Sequence, residues 1–396
     1  MKNKVLILGA SEYNINAILS IKACGCDVYV LDGNPDAPGF KVSDKFATID
    51  ISNKEKVFKY ALENSIQAII PLNDFATPAS SFASEMLNLT SPSFLSAKCG
   101  TDKGLMRDVW SLNNIPQPKY MVFDGDSVDY INTKLFDYPK IIKPALTGGG
   151  GRGISIIKSE DSFMDCFKHA SKFSLNNRFI IEDFVPGTEL TIDGFMYRST
   201  FYPSAISDKY KPESVHRVAT SLYFPAKIGA ESKSIVVKMV EKASLALGLD
   251  SCAIHAEVIM KNNKKGFMVE LGLRGGGGHL FGDIIKLHSG IDAPRELAKI
   301  LLGKRPSLKP KNYNNVIYRF LNPALSGKFI KADFPEWIKH DKEVYKYGTM
   351  LKAGTFYNGL SDSLQRIGFV ILFGGNRKKL DKKAKKIENS ISYQFE

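Results

Sequence analysis

Apolar and polar positions follow two rhythms along this chain, and the rhythm switches repeatedly. In the first part, Val5–Leu8, Val28–Leu31 and Ala68–Pro71 are short apolar runs that read as strands, while Asn14–Ala23 and Lys54–Asn64 show helical spacing. That βαβαβ order implies a parallel sheet with right-handed crossovers. Further on, the spacing predicts a helix over Asp102–Leu112, with Thr101 as its cap and Pro116 and Pro118 as its stop. Tyr138–Pro144, Ile154–Ile157, Phe179–Ile181 and Leu190–Phe195 read as strands, Glu182–Val185 as a polar–apolar hinge, and residues 231–249 as a long helix ending at Gly248. Phe281–His288 and Ala293–Leu302 are helical, and Pro306–Pro310 reads as a linker. The strands Val316–Leu321, Val344–Tyr347 and Phe369–Phe373 and the helix Asp381–Ser390 then form a small α+β appendage.

The densest pattern runs from His255 to His279. Two apolar runs, Ala253–Met260 and Phe267–Leu273, flank the polar turn Lys261–Gly266, which is a hairpin signature. Strict alternation puts His255, Glu257 and Ile259 on one face of the first strand. It puts Met268, Glu270, Gly272 and Arg274 on one face of the second. Folding about Asn263–Lys264 sets Glu257 opposite Glu270, and two carboxylates paired across strands repel. A hard cation between them removes that penalty, because Mg²⁺ takes carboxylate oxygens together with substrate phosphates. The alternative is a solvated face with both Glu side chains in water.

Composition narrows the class. A chain of 396 residues, 44 % hydrophobic and 24 % charged, is that of a folded protein with two or three lobes. No apolar run approaches the ~20 residues of a membrane span. The opening MKNKVLILGA stops being apolar at Ser11–Glu12, which reads as a first strand rather than a signal peptide. Five scattered cysteines fit reduced thiols and a cytoplasmic location. The net charge of +13 favours anionic partners such as nucleotides. Part of it lies in Arg377–Lys386, where Leu380, Ala384, Ile387 and Ile391 recur at helical spacing, so this block reads as a docked helix with a solvated basic face.

Phosphate chemistry enters through glycine. Gly148–Gly151, Arg152 and Gly153 follow Lys143 in a flexible basic loop whose backbone N–H groups suit phosphate oxygens, although it is not the Walker pattern. Lys103 opens its helix, a poor place for a cation on dipole grounds, which makes an external anion attractive as its partner. Lys209, Lys211, His216 and Arg217 make a basic loop fit for the rim of a pocket. Gly275–Gly278 and His279 precede a helix N-terminus, another setting for an anion. Gly9 and Asp32 match only fragments of the dinucleotide fingerprint, and Asn73 and Asp74 read as an ordinary loop after a strand.

In this order, the helix-borne Lys103, Lys143 with its glycine loop, the EDFV hinge with Glu189, and the paired-Glu hairpin closing with Arg274 resemble the ATP-grasp superfamily. The nearest branches are the carbamoyl-phosphate-synthase-like and L-amino-acid-ligase ones. The likeness covers about residues 1–305. It implies an α/β and α+β multidomain chain with an ATP-grasp fold and an N-terminal parallel-sheet domain. The implied segments are a pre-ATP-grasp domain (1–97), a linker helix and lid subdomain (98–190), a C-terminal ATP-grasp subdomain with the metal hairpin (191–305), and the appendage (306–396).

The resemblance also implies roles. Lys103 and Lys143 meet ATP phosphates, and Gly149, Gly150, Gly151 and Arg152 close over them. Glu182, Asp183, Phe184 and Val185 line the adenine hinge, Glu189 holds the ribose, and Lys209 joins the nucleotide set. Glu257 and Glu270 hold Mg²⁺ or Mn²⁺, Arg274 clamps the substrate carboxylate and its acyl phosphate, and His216 or His279 steers or deprotonates the amine. The implied activity is an ADP-forming carboxylate–amine ligase with small-molecule substrates, no nucleic-acid partner and a homodimeric assembly. A bicarbonate-activating enzyme and a non-catalytic nucleotide or polyanion binder are the alternatives. One departure stands out: the family pattern Glu-x-Asn-x-Arg here reads Glu270-Leu-Gly272-Leu-Arg274. Water or another ligand then takes the place of the Asn, or the second metal is bound differently.

Overall fold

A computed structural model describes residues 2–135, 137–212, 214 and 216–396. Glu213 and Val215 of the basic loop therefore lie outside the described residues. The chain forms two compact units: 1–117 with 191–206 and 228–312, and 118–190 with 207–227 and 313–396. The strands Thr188–Tyr197 and Thr200–Tyr210 carry the chain through both.

The first unit opens with a four-stranded parallel sheet in the order Lys45–Thr48, Asp27–Asp32, Lys4–Leu8, Ala68–Pro71. Its parallel character follows from the alternation of apolar runs with helices. Lys45–Thr48 escapes sequence reasoning because it is an exposed edge strand with no apolar alternation. Leu6, Leu8, Leu31 and Ile69 pack against Val57 and Ala61 of the helix Lys54–Glu63 and against Ala76, Ala79 and Ala83 of Ala76–Met86. Asp32 accepts from the backbone N–H of Ala10 at 2.7 Å, so it ties down the first loop rather than awaiting a ribose.

The helix expected over Asp102–Leu112 is Lys103–Leu112, and a further helix, Phe94–Thr101, precedes it. Asp102, not Thr101, is the cap: its carboxylate accepts from the N–H groups of Gly104 and Leu105 at 2.8 and 3.1 Å. Trp110 on the second helix is fully buried and donates to the Ala243 carbonyl at 3.1 Å. That contact docks it on the long helix Ala230–Ala246 of the same unit.

The hairpin pairs Cys252–Lys261 with Lys265–Gly272, and Glu257 stands opposite Glu270 in register. The expected facing of the second strand needs one correction. Val258 pairs with Met268, so Val269 is an extra residue, a β-bulge that breaks the alternation. Met268 is therefore buried with Val258, while Glu270 stays on the half-exposed face with Glu257.

In the second unit, Tyr120–Asp124, Arg178–Asp183, Lys140–Pro144 and Ser155–Ile157 form a four-stranded sheet over a core of Phe123, Ile142, Phe163 and Phe179. Glu182 and Asp183 belong to the strand Arg178–Asp183 rather than to a hinge. The appendage is larger than expected. Its strands Asn315–Leu321, Gly368–Gly374 and Val344–Thr349 follow one another in a sheet. Gly327–Asp333, Phe356–Tyr357 and Ser392–Phe395 make a further three-stranded sheet. The basic helix Arg377–Asn389 docks as its spacing requires, with Leu380, Ala384 and Ile387 buried against Ile317 and Leu372.

Leu380 has no exposed surface, and its truncation leaves a cavity. Leu380→Ala is expected to cost about 2–5 kcal/mol in urea unfolding, whereas Lys382→Ala on the exposed face changes stability by less than about 0.5 kcal/mol.

Candidate active site

Each unit holds charged side chains that the sequence marks as site candidates. In the first, alternation on a half-buried strand brings His255 and Glu257 to one face, and the bulge brings Glu270 to meet Glu257. Lys103, the first residue of its helix, reaches Glu270 with Nζ 3.1 Å from Oε1. Its partner is thus a carboxylate of this chain, not only an external anion. Burial works against the Lys103 charge, but Glu270, with Asp74 and Glu257 adding to it, holds the ammonium above its ordinary value.

Arg274 lies just beyond the hairpin and is not a loose clamp. Its Nε and one terminal nitrogen donate to Asp74 at 2.8 and 2.6 Å, and the other donates to the Gly275 carbonyl at 2.8 Å. Asp74 lies in the loop after the strand Ala68–Pro71, as expected, and its pairing with Arg274 is what the loop reading did not include. Asn73 does keep a local role, accepting from the N–H of Ala76 at 3.0 Å. Asp74 also explains where the space at Gly272 lies, for a Cβ there would sit 3.5 Å from Asp74 Oδ1.

Two histidines in this unit are held by aspartates. His255 Nδ1 lies 2.9 Å from Asp193 Oδ1, and Asp193 Oδ2 is buried with no hydrogen-bond partner among the described residues. Burial opposes protonation of His255, but Asp193 raises its affinity for a proton. This pair has a sequence signal, the position of His255 two residues before Glu257, yet nothing local marks Asp193 as its partner. His279 lies 2.8 Å from Asp283, which also accepts from Asn16, and the Tyr13 ring stands edge-on at 5.2 Å. With His279 and Asp283 each 1 % exposed, this pair is a buried brace rather than an amine-facing base.

The second unit carries the residues expected to meet the nucleotide other than Lys103. Lys143 Nζ is 2.7 Å from Glu182 Oε2, and Lys140 is 2.5 Å from Asp183. Arg217 lies over the Phe184 ring at 5.9 Å, and Val185 is half-buried beside it in sequence. Glu189 Oε1 forms ion pairs with Lys209 Nζ at 3.0 Å and with Lys211 Nζ at 2.6 Å. Lys211 thus stands where sequence reasoning placed Lys209 alone. Burial by itself would raise the Glu189 carboxyl, but the two ammonium groups override it and hold it well below its ordinary value. His216 packs on His169 with ring centroids 4.4 Å apart.

The glycine loop has a conformational reason for its composition. Gly149, Gly150, Gly151 and Gly153 all have φ between +70° and +76°, a region other residues enter at a cost. Arg152 Nε in the same loop is buried without a hydrogen-bond partner among the described residues, as expected of a donor meant for an anion.

These two donor sets fit Mg²⁺ and a triphosphate. Glu257 and Glu270 are two hard oxygen donors opposed in register, and no group of three or more His, Cys, Asp or Glu among the described residues forms a complete cage. Such a pair suits a metal that brings phosphate oxygens as its other ligands.

Residues 136–281 match the family model of the ATP-grasp domain. The fold agrees over the whole length: the L-amino acid ligase of Bacillus licheniformis superposes with a TM-score of 0.85 at 16 % identity, covering 100 % of this chain and 99 % of that one. An N5-carboxyaminoimidazole synthetase of Staphylococcus aureus, solved with ADP, gives 0.76 at 12 % identity and 98 % coverage of each chain. By sequence, the alanine–anticapsin ligase of Bacillus subtilis strain 168 is 25 % identical over 274 residues. That match covers 62 % of this chain and 56 % of the relative, so the chain spans little more than half the length of that relative. No helix of the described residues is long and apolar enough to cross a membrane.

The Glu189 pairing predicts a pH dependence. A depressed carboxyl stabilises the fold above its ordinary value of 4.5 and loses that contribution as the pH falls through its folded value. Glu189→Gln is expected to lose about 3–5 kcal/mol at pH 7, because it removes the carboxylate that neutralises two largely buried lysines. In urea unfolding the gap to the parent should narrow progressively below pH 4.5.

Proposed function

We propose that this chain is an ATP-dependent carboxylate–amine ligase that forms an amide through an acyl phosphate and releases ADP and phosphate. The observation that carries the proposal is the in-register Glu257–Glu270 pair with Arg274 two residues beyond its strand. Like charges held face to face are retained where a cation brings them profit, and Mg²⁺ bound there would neutralise phosphate charge. The L-amino acid ligase fold of one relative and the alanine–anticapsin ligase name of another support amide formation.

In this proposal Lys143, Arg152 and the N–H groups of Gly149–Gly151 hold the β- and γ-phosphates, and Glu189 with Lys209 holds the ribose end. Glu182–Val185 contact the adenine. Lys103 and Arg274 stabilise the charge on the transferring phosphoryl group and on the substrate carboxylate. A carboxylate oxygen attacks the γ-phosphorus, and the bond from that phosphorus to the bridging oxygen of ADP breaks. The amine then attacks the acyl carbon, phosphate departs with the carboxylate oxygen, and the nitrogen gives up a proton. Because Lys143 and Glu182 already pair, the phosphates must share or displace that contact.

Substrate-dependent ADP release over a panel of amino acids and sugar acids tests the reading, with and without bicarbonate to separate ligation from bicarbonate activation. Glu270→Gln is expected to lower it at least ~100-fold, the scale of removing one preorganised electrostatic group. Near-parental turnover in that variant refutes the metal role. Arg274→Ala should still bind Mg–ATP in calorimetry while failing to ligate.

A further inference from the structure

The bidentate contact between Asp74 and Arg274 is a feature of the first unit that the ligase reading does not use. Asp74 and Arg274 are 200 residues apart in sequence and fit each other as a fork on a carboxylate, at 2.8 and 2.6 Å. The third guanidinium nitrogen is taken by the Gly275 carbonyl at 2.8 Å. Arg274 therefore presents a filled fork. The filling group is itself a carboxylate, so it has the geometry of the substrate group that Arg274 is expected to take.

Two further observations show that the contact is built. Asp74 is set by its short connection between the strand Ala68–Pro71 and the helix Ala76–Met86, and its own carbonyl accepts from the Thr77 N–H at 3.2 Å. Gly272 leaves open the space that Asp74 leans over, since a Cβ at that position would already be in van der Waals contact with Asp74 Oδ1 at 3.5 Å. A side chain longer than a methyl group there would crowd the carboxylate.

We propose that Asp74 is a specificity-determining residue: an internal carboxylate that occupies Arg274 and that a substrate's carboxylate must displace. The proposal rests on the reading of Arg274 as the carboxylate-binding group. A weakly bound anion cannot displace a carboxylate that is already tethered, because the tethered group has little freedom left to lose. A substrate with further contacts can. The pair thus screens out simple anions and admits only molecules whose remaining groups add binding energy.

The test reads anion binding without ATP or turnover, so its outcome is separable from the fate of the ligase reading. Acetate is titrated into the full chain, at constant ionic strength set by a bulky sulfonate salt, and Tm is followed. A ligand that binds the folded state raises Tm. The parent should respond weakly, while Asp74→Asn and Asp74→Ser should bind acetate about tenfold more tightly or better. Arg274→Met in the Asp74→Asn background should abolish the response. Both single variants are purified in acetate, which should rescue the uncompensated guanidinium. Equal responses in parent and variants, a response that survives Arg274→Met, or failure of both single variants to fold in acetate each overturns the proposal.

Discussion

Glu257 and Glu270 face each other across an antiparallel pair, and their repulsion is the constraint on which the first unit depends. The fold answers it with cations drawn from distant parts of the sequence. Lys103 comes from the start of a helix far upstream and ends 3.1 Å from Glu270. Arg274 follows the hairpin and is itself balanced by Asp74 from the end of a parallel strand. Each charge is thus stationed by a different element, so the parallel sheet, the helix Lys103–Leu112 and the hairpin must all be in place for any of them to be tolerated. Buried charges left unpaired are costly, which makes the arrangement cooperative.

The same logic governs the second unit. Lys143 with Glu182, and Lys209 and Lys211 with Glu189, are mutual pairs in which every member is largely buried. A chain that needs cations for phosphates and carboxylates for hydroxyls or metals satisfies them with one another. Binding of a charged ligand then becomes an exchange of partners rather than a simple addition of contacts, and the affinity reflects the difference between two sets of contacts.

Much of this was legible in the sequence. The parallel sheet followed from alternating apolar runs and helices and the docked basic helix from the spacing of Leu380, Ala384 and Ile387; the Glu257–Glu270 pairing was expected too, but it arises from the bulge at Val269 and not from symmetry about Asn263–Lys264, since the turn centres on Asn263. What escaped has a common cause. Lys45–Thr48 carries no apolar alternation, because an edge strand exposes both faces. The pairings of Asp74 with Arg274 and Asp193 with His255 join residues 200 and 62 positions apart, and no local rule of spacing links them. Asp102 rather than Thr101 capped its helix because the backbone bends between two helices, a choice that composition leaves open.

The bulge at Val269 bears on how such a chain can change over generations. The buried face of the hairpin is fixed by Val258 and Met268 on one side of the extra residue, and the polar face by Glu257 and Glu270 on the other. Removing one residue here would restore perfect alternation and turn either a glutamate inward or a core side chain outward. Drift by substitution is therefore open to this hairpin, whereas a single-residue insertion or deletion in either strand would swap its buried and polar faces.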